Sequence, residues 1–170
     1  MKTLLAFILF ALSSLTYVNA MDNKTIRIST KDTDLILQVG ENGRLYQTYL
    51  GEKLLHEQDL QHFQWNIHAG SDGSVSKRGW EVYSGSGNED FFEPAISITH
   101  HDGNPSTILY YVSSSDKAVE GGTETTILLR DDRYPVEVTL HYIAYPKENI
   151  IKTWSEIRHQ EKKPVTLSSY

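Results

Sequence analysis

From Thr25 onward the chain is written largely in period two. In Phe63-Gln64-Trp65-Asn66-Ile67-His68 and again in Val136-Glu137-Val138-Thr139-Leu140-His141-Tyr142, apolar side chains alternate with polar ones. In an extended strand that alternation sends every second side chain to the same face. Such a strand buries one face and wets the other, so it needs a second layer to cover it. The same reading gives strands at Thr25 to Ser29, Leu35 to Val39, Leu45 to Leu50, Ala95 to His100, Ile108 to Ser113, Thr123 to Leu129, Val136 to Tyr145 and Ile150 to Arg158. Turn signals separate them: Glu41-Asn42-Gly43, Ser71-Asp72-Gly73 and Asp102-Gly103. No window after residue 20 places apolar residues at helical spacing. About nine short strands, joined by loops too short for helical crossovers, predict an all-β fold, an antiparallel β-sandwich.

The first twenty residues are of another kind. Lys2 supplies a positive start, Leu4 to Leu12 a short apolar core, and Val18-Asn19-Ala20 compact residues at the positions a signal peptidase inspects. That core is about half a membrane span. The expected organisation is a signal peptide over 1–20 and a sandwich domain over 21–170, exported to the periplasm or the extracellular medium, with no membrane attachment after cleavage. The last residues, Val165 to Tyr170, begin a strand pattern without a closing turn, which predicts an incomplete domain at that end.

Export usually permits disulfides, but the chain has no cysteine, so its stability has to come from a hydrophobic core. About 150 residues suffice for one. The net charge is −6 and the basic residues are scattered. Nucleic acid is therefore excluded as a partner, since phosphate binding requires clustered Lys and Arg. Asn23-Lys24-Thr25 matches an N-glycosylation acceptor, which matters only in a eukaryotic secretory pathway.

Candidate chemistry is sparse. The cluster Glu89, Asp90 and Glu93 holds carboxylates, but close neighbours in sequence rarely face each other across a substrate, and Pro94 points to a rigid turn. Asp90 is expected to accept bonds from nearby backbone amides and fix the entry of the strand that follows; with Trp80 it is also a candidate contact to substrate or a neighbouring subunit. His56, His62 and His68 share an even spacing but are not expected to lie on one strand, so no metal site is assigned. His100 and His101 precede an Asp-Gly turn and read as part of a surface turn. Most aromatic residues are in phase with apolar neighbours and read as core. Trp80 follows Lys77-Arg78-Gly79 in a Gly-rich irregular segment, and is the aromatic residue placed to meet a ligand or a neighbouring subunit. No nucleophile elbow, phosphate loop or zinc-protease helix occurs, and no cofactor is implied.

Three segments carry a resemblance. Gly87-Asn88-Glu89-Asp90-Phe91-Phe92-Glu93-Pro94-Ala95 leads through Asp102-Gly103 to Ile108-Leu109-Tyr110-Tyr111-Val112. Ile127-Leu128-Leu129-Arg130-Asp131-Asp132 and Val136 to Tyr145 follow, running on into Asn149-Ile150-Ile151-Lys152. Together they resemble the amino-terminal sandwich domain of the family 36 glycoside hydrolases, the α-galactosidases. The resemblance implies a retaining hydrolase of terminal α-linked galactose, with a central (β/α)8 barrel supplying two aspartates as nucleophile and acid/base. It also implies α-galactoside oligosaccharides as ligands of that barrel, and homo-oligomeric contacts through the sandwich. On this reading the catalytic residues in this chain are none, and the segment alone is inactive. Phe92 stands where the family usually has Arg, so a polar contact made by that Arg does not carry over. Two alternatives stay open, a free-standing exported sugar-binding or adhesive sandwich and a sugar mutarotase, which chain length disfavours.

Overall fold

The computed structural model describes residues 24–63, 80–87 and 93–170. Ten strands are described: β1 (Thr25–Ser29), β2 (Thr33–Val39), β3 (Leu45–Glu52), β4 (Trp80–Glu81), β5 (Ser97–Thr99), β6 (Leu109–Val119), β7 (Gly122–Asp131), β8 (Val136–Tyr145), β9 (Ile150–His159) and β10 (Thr166–Ser169). They form two four-stranded sheets, ordered β1-β2-β3-β4 and β6-β7-β8-β9, and a small β10-β5 ribbon. Every pairing between these strands is antiparallel. The expected all-β class holds, with no α-helix among the described residues and none long and apolar enough to cross a membrane.

The two large sheets face each other across one core. Ile26, Ile28, Leu35 and Leu37 come from one sheet, and Ile127, Leu129, Val136, Val138 and Leu140 from the other. In β8 the alternation is complete: Val136, Val138, Leu140, Tyr142 and Ala144 are buried while the residues between them are not. Ile98 of the ribbon and Ile96 just before it close one side of this core.

Loop contacts pin the sheets to each other. Asn149 adopts a left-handed φ of 56° in the β8–β9 turn, a conformation Asn tolerates better than most residues. From there its Oδ1 accepts from the Thr30 hydroxyl and from the Asp32 N–H at 3.2 Å. The β8–β9 turn is thereby fastened to the β1–β2 turn. At the opposite end the Tyr111 N–H donates to the Gly43 carbonyl at 2.8 Å, and the Lys24 ammonium lies 5.2 Å from the Tyr111 ring centre.

Three local readings differ from the sequence expectation. Phe63 closes a 3-10 helix, Glu57–Phe63, and does not open a strand; Gln64 to His68 lie outside the described residues. That helix is short and polar, so apolar periodicity could not reveal it. Trp80 belongs to β4, paired with Gln47 of β3, where an irregular segment was expected. The strand expected over Ala95 to His100 is only three residues long.

Candidate functional site

A concavity of about 560 Å³ opens between the two large sheets. Its floor is apolar, from Leu35 of β2, Leu50 of β3, Val82, Leu140 of β8 and Ile151 of β9. Tyr83 and Tyr142 add aromatic surface, and Gln47, Asn149, Thr153 and Ser155 add neutral hydrogen-bonding groups; Trp154 borders the concavity from β9, with its indole stacked on His141 on the other face of the sheet. No charged or imidazole side chain is among these lining residues. The strand pattern explains why: Thr153 and Ser155 lie opposite Tyr142 and Leu140 on the inner face, and the charged residues of β9 fall at the alternate positions.

Tyr142 is 7 % exposed, and its hydroxyl has no hydrogen-bond partner among the described residues. Burial pushes its phenol up to about 12. The neighbouring Tyr83 hydroxyl lies 3.3 Å from Ser155 Oγ, joining β9 to the segment after β4.

Titratable chemistry lies elsewhere, in a clasp around Glu161. One carboxylate oxygen is 2.7 Å from His100 Nδ1; the other is 2.5 Å from His101 Nδ1 and accepts the His101 N–H at 3.1 Å. His100 Nε2 lies 3.1 Å from both the Ser106 carbonyl and the Thr107 hydroxyl. The His100 ring stacks on Tyr134 with centroids 3.5 Å apart, and the Tyr134 hydroxyl donates to Asp102 Oδ2 at 2.9 Å. Burial pushes the Glu161 carboxyl up, but the hydrogen bonds from His100 and His101 outweigh it and hold the group down to about 2. His100 is 2 % exposed, so the expectation of a surface turn is corrected for that residue, while His101 is exposed. The turn at Gly103, with φ 87°, is where expected. What the local pattern could not show is that the imidazole before it folds inward to meet a carboxylate 61 positions away.

Two further acids hold the frame. Asp34 is fully buried: it accepts from Arg27 Nη2 and the Ser29 hydroxyl, each at 2.6 Å, and from the Leu54 N–H at 2.8 Å. Burial raises its carboxyl, and the bonds from Arg27, Ser29 and Leu54 overcome that and leave it below the ordinary range. Asp131 caps the β7–β8 turn, accepting the N–H groups of Arg133 and Tyr134 at 2.8 and 2.7 Å and that of Ile108 at 2.7 Å.

Of the residues singled out in sequence, Asp90 lies outside the described residues, and Trp80 is described only through its backbone in β4. Glu93 is exposed, as are His56 and His62, and His68 is outside the described residues. Among the described residues no three His, Cys, Asp or Glu side chains converge as a metal site would require. The clasp and the Asp34 hub were missed from sequence. The clasp rests on a contact across 61 positions, and the Asp34 hub on contacts across the β1–β2 hairpin and to Leu54, which no spacing pattern marks.

Solved structures share this fold. An α-galactosidase from Lactobacillus brevis superposes with a TM-score of 0.70 at 18 % identity, covering 86 % of this chain and 23 % of that one. The family 36 α-galactosidase AgaA from Geobacillus stearothermophilus, solved in complex with raffinose, gives 0.69 at 21 % identity over the same shares, 86 % and 23 %. The galactosidase domain of the α-galactosidase-sucrose kinase AgaSK gives 0.68 at 20 % identity, covering 88 % and 24 %. The chain thus spans about a quarter of the length of these relatives. No curated protein matches it in sequence. The glycosyl hydrolase family 36 N-terminal domain matches in sequence over residues 43–170. Most of the chain is covered by that match, and the chain belongs to this family of N-terminal domains.

Proposed function

We propose that this chain is the non-catalytic amino-terminal domain of a retaining α-galactosidase that removes terminal α-linked galactose from oligosaccharides, bracing a catalytic barrel and the contacts between subunits. One observation carries the reading: the family match over residues 43–170 coincides with a concavity whose described lining holds no carboxylate. Retaining hydrolysis needs two carboxyl groups roughly 5 Å apart, one ionised and one protonated. Asp34, Asp131 and Glu161 are instead saturated with donors inside the frame, which keeps them from acting as a protonated acid or a free nucleophile. The substrate class follows from the family and from relatives crystallised with raffinose and stachyose. Export rests on residues 1–20, whose charge, apolar core and compact cleavage positions fit a signal peptide.

The test is a chromogenic α-galactoside. The 170-residue chain leaves it intact, and the polypeptide encoded by the whole reading frame hydrolyses it. Turnover by the 170-residue chain that vanishes on Asp90→Asn would overturn the non-catalytic reading, and an inactive whole-frame product would overturn the α-galactosidase. A second reading, an exported sugar-binding sandwich, draws on the groove itself, since Tyr83 and Tyr142 beside neutral amides and hydroxyls suit a pyranose ring. Calorimetric titration of the 170-residue chain with raffinose separates the two: saturable heat favours the binding module.

A further inference from the structure

The hydrogen bonds of the clasp fix how many protons it holds. The side chains of His100 and Glu161 are 0 % and 1 % exposed, so the contacts between protein atoms decide the matter. His100 Nε2 lies 3.1 Å from the Ser106 carbonyl oxygen and 3.1 Å from the Thr107 hydroxyl. A carbonyl oxygen only accepts, so that approach needs a proton on Nε2. His100 Nδ1 lies 2.7 Å from one oxygen of Glu161. An ionised carboxylate also only accepts, so this contact needs a proton on Nδ1. Glu161 does not supply it: its other oxygen already accepts the His101 N–H and meets His101 Nδ1. Burial raises the Glu161 carboxyl, yet the bonds from His100 and His101 hold it down to about 2.

We propose that His100 is a buried imidazolium, and that the clasp is a proton-operated latch which ties the segment after β9 to Ser106 and Thr107 while the ring carries both protons. A buried charge survives only when it is paired and its remaining hydrogen bonds are made, and His100 meets both conditions. The charged and titratable groups around it come from three elements. Glu161 faces it from the segment after β9, and His101 and Asp102 lie on its own turn. From the β7–β8 turn, Tyr134 stacks on the ring at 3.5 Å, with Asp131 accepting its N–H and the Arg133 guanidinium 5.9 Å from its ring centre. Three carboxylates and an aromatic face thus stand against one arginine, a setting that favours a cation. His101 differs. It is 39 % exposed, and a single ring proton satisfies its contact with Glu161.

The release step is the loss of the Nε2 proton to water. The neutral ring keeps its Nδ1–H on Glu161, and the Thr107 hydroxyl turns to donate to the bare Nε2. The Ser106 carbonyl then faces a lone pair and has lost the donor that the ring gave it. Two backbone contacts lie next to the latch: the Thr107 N–H donates to the Ser86 carbonyl, and the Gln160 N–H to the Pro135 carbonyl, both at 2.9 Å. Beyond Glu161 the chain enters β10, which pairs with β5. Deprotonation therefore loosens the place where the ribbon joins the large sheets.

Spectra of the unmodified 170-residue chain labelled with histidine-15N count the protons. At about pH 6 His100 gives one-bond N–H correlations from both ring nitrogens, whereas burial without an ion partner drives an imidazole to its neutral form. Raising the pH toward about 9 removes the Nε2–H correlation and leaves Nδ1–H in place. Stability is the second measurement. The folded chain keeps a proton that an unfolded histidine releases near about pH 6.5. The folding constant therefore falls as pH rises, by up to about tenfold per pH unit over the range in which His100 alone releases its proton. His100→Asn retains a donor toward Glu161 and has no proton to release, so that share of the fall disappears. If this variant does not fold, Glu161→Gln takes its place, and its His100 holds a single ring proton at about pH 6. One ring proton on His100 in the unmodified chain at that pH overturns the proposal. So does a pH dependence unchanged in His100→Asn, or a doubly protonated His100 in Glu161→Gln.

Discussion

The clasp around Glu161 and the groove beside Tyr142 both combine burial with polar groups, yet they use them in opposite ways. In the clasp a carboxylate, two imidazoles, a phenol and a second carboxylate are packed into mutual hydrogen bonds. In the groove the polar groups are neutral, and one of them, the Tyr142 hydroxyl, has no partner among the described residues. The difference follows from where each sits. The groove lies over the inner faces of regular strands, and the period-two pattern has already sent the charges to the other side. The clasp is built from loop ends, where direction is free and long-range charge pairing can fasten segments that backbone ladders do not reach. Charge in this domain ties the frame together, and the described lining of the open concavity holds no acid or base.

The largest expected effect tests the claim that buried charge is structural. Asp34→Ala removes the acceptor of three donors and leaves the Arg27 guanidinium without its partner in a mostly buried site. A loss of about 4 kcal/mol is expected. Urea denaturation measures it, and a change below about 1 kcal/mol would mean that water replaces the carboxylate freely.

Glu161→Gln ranks next, with a loss of about 3 kcal/mol at pH 6, and here pH sharpens the comparison. The folded carboxyl stands near 2 against an ordinary value of 4.5. A depressed carboxyl contributes stability that is complete above its unfolded value and drains away as pH falls through the folded one. The gap between the native chain and Glu161→Gln is therefore widest above pH 4.5 and closes toward pH 2. Denaturation at both ends of that window checks it. A constant gap would show that the effect is steric and not ionic.

Much of the frame was legible in sequence because strand alternation is a local signal. β8 was read residue for residue, and the turns at Gly43 and Gly103 take the positive φ that their Gly residues permit. What sequence missed is of two kinds. The 3-10 helix Glu57–Phe63 and the two-residue β4 are too short to show a period. The clasp joins His100 to Glu161 across 61 positions and Tyr134 to Asp102 across 32, and no spacing rule connects them. His100 and His101 looked like a turn because the turn beside them is real. The burial of His100 comes with a partner that only the folded chain supplies, while His101 stays exposed.

Gly85 gives a smaller perturbation aimed at one wall of the clasp. A Cβ at this position would collide with the Thr107 carbonyl, and Thr107 carries one of the contacts to His100 Nε2. Gly85→Ala is expected to cost about 2 kcal/mol through the shift it forces. If the clasp is a rigid unit, the imidazole resonance of His100 moves in the same variant. A stability loss with an unmoved His100 resonance would confine the strain to the Gly85–Ile96 bridge.

Tyr142→Phe is the smallest change and addresses the groove directly. The ring is part of the core, packed in phase with Val138 and Leu140, and phenylalanine preserves that packing. What the substitution removes is a hydroxyl that burial has made hard to ionise and that has no hydrogen-bond partner among the described residues. The hydroxyl lines the open concavity, and its loss breaks no hydrogen bond to the described residues. Its removal should leave stability unchanged or raise it by about 0.5 kcal/mol, in contrast to the losses expected at Asp34 and Glu161. Equilibrium denaturation decides the sign. A loss above about 1 kcal/mol would show that the hydroxyl is bonded in solution. The groove would then belong with the clasp as part of the fastening, and the contrast between an open neutral concavity and a closed charged one would fail.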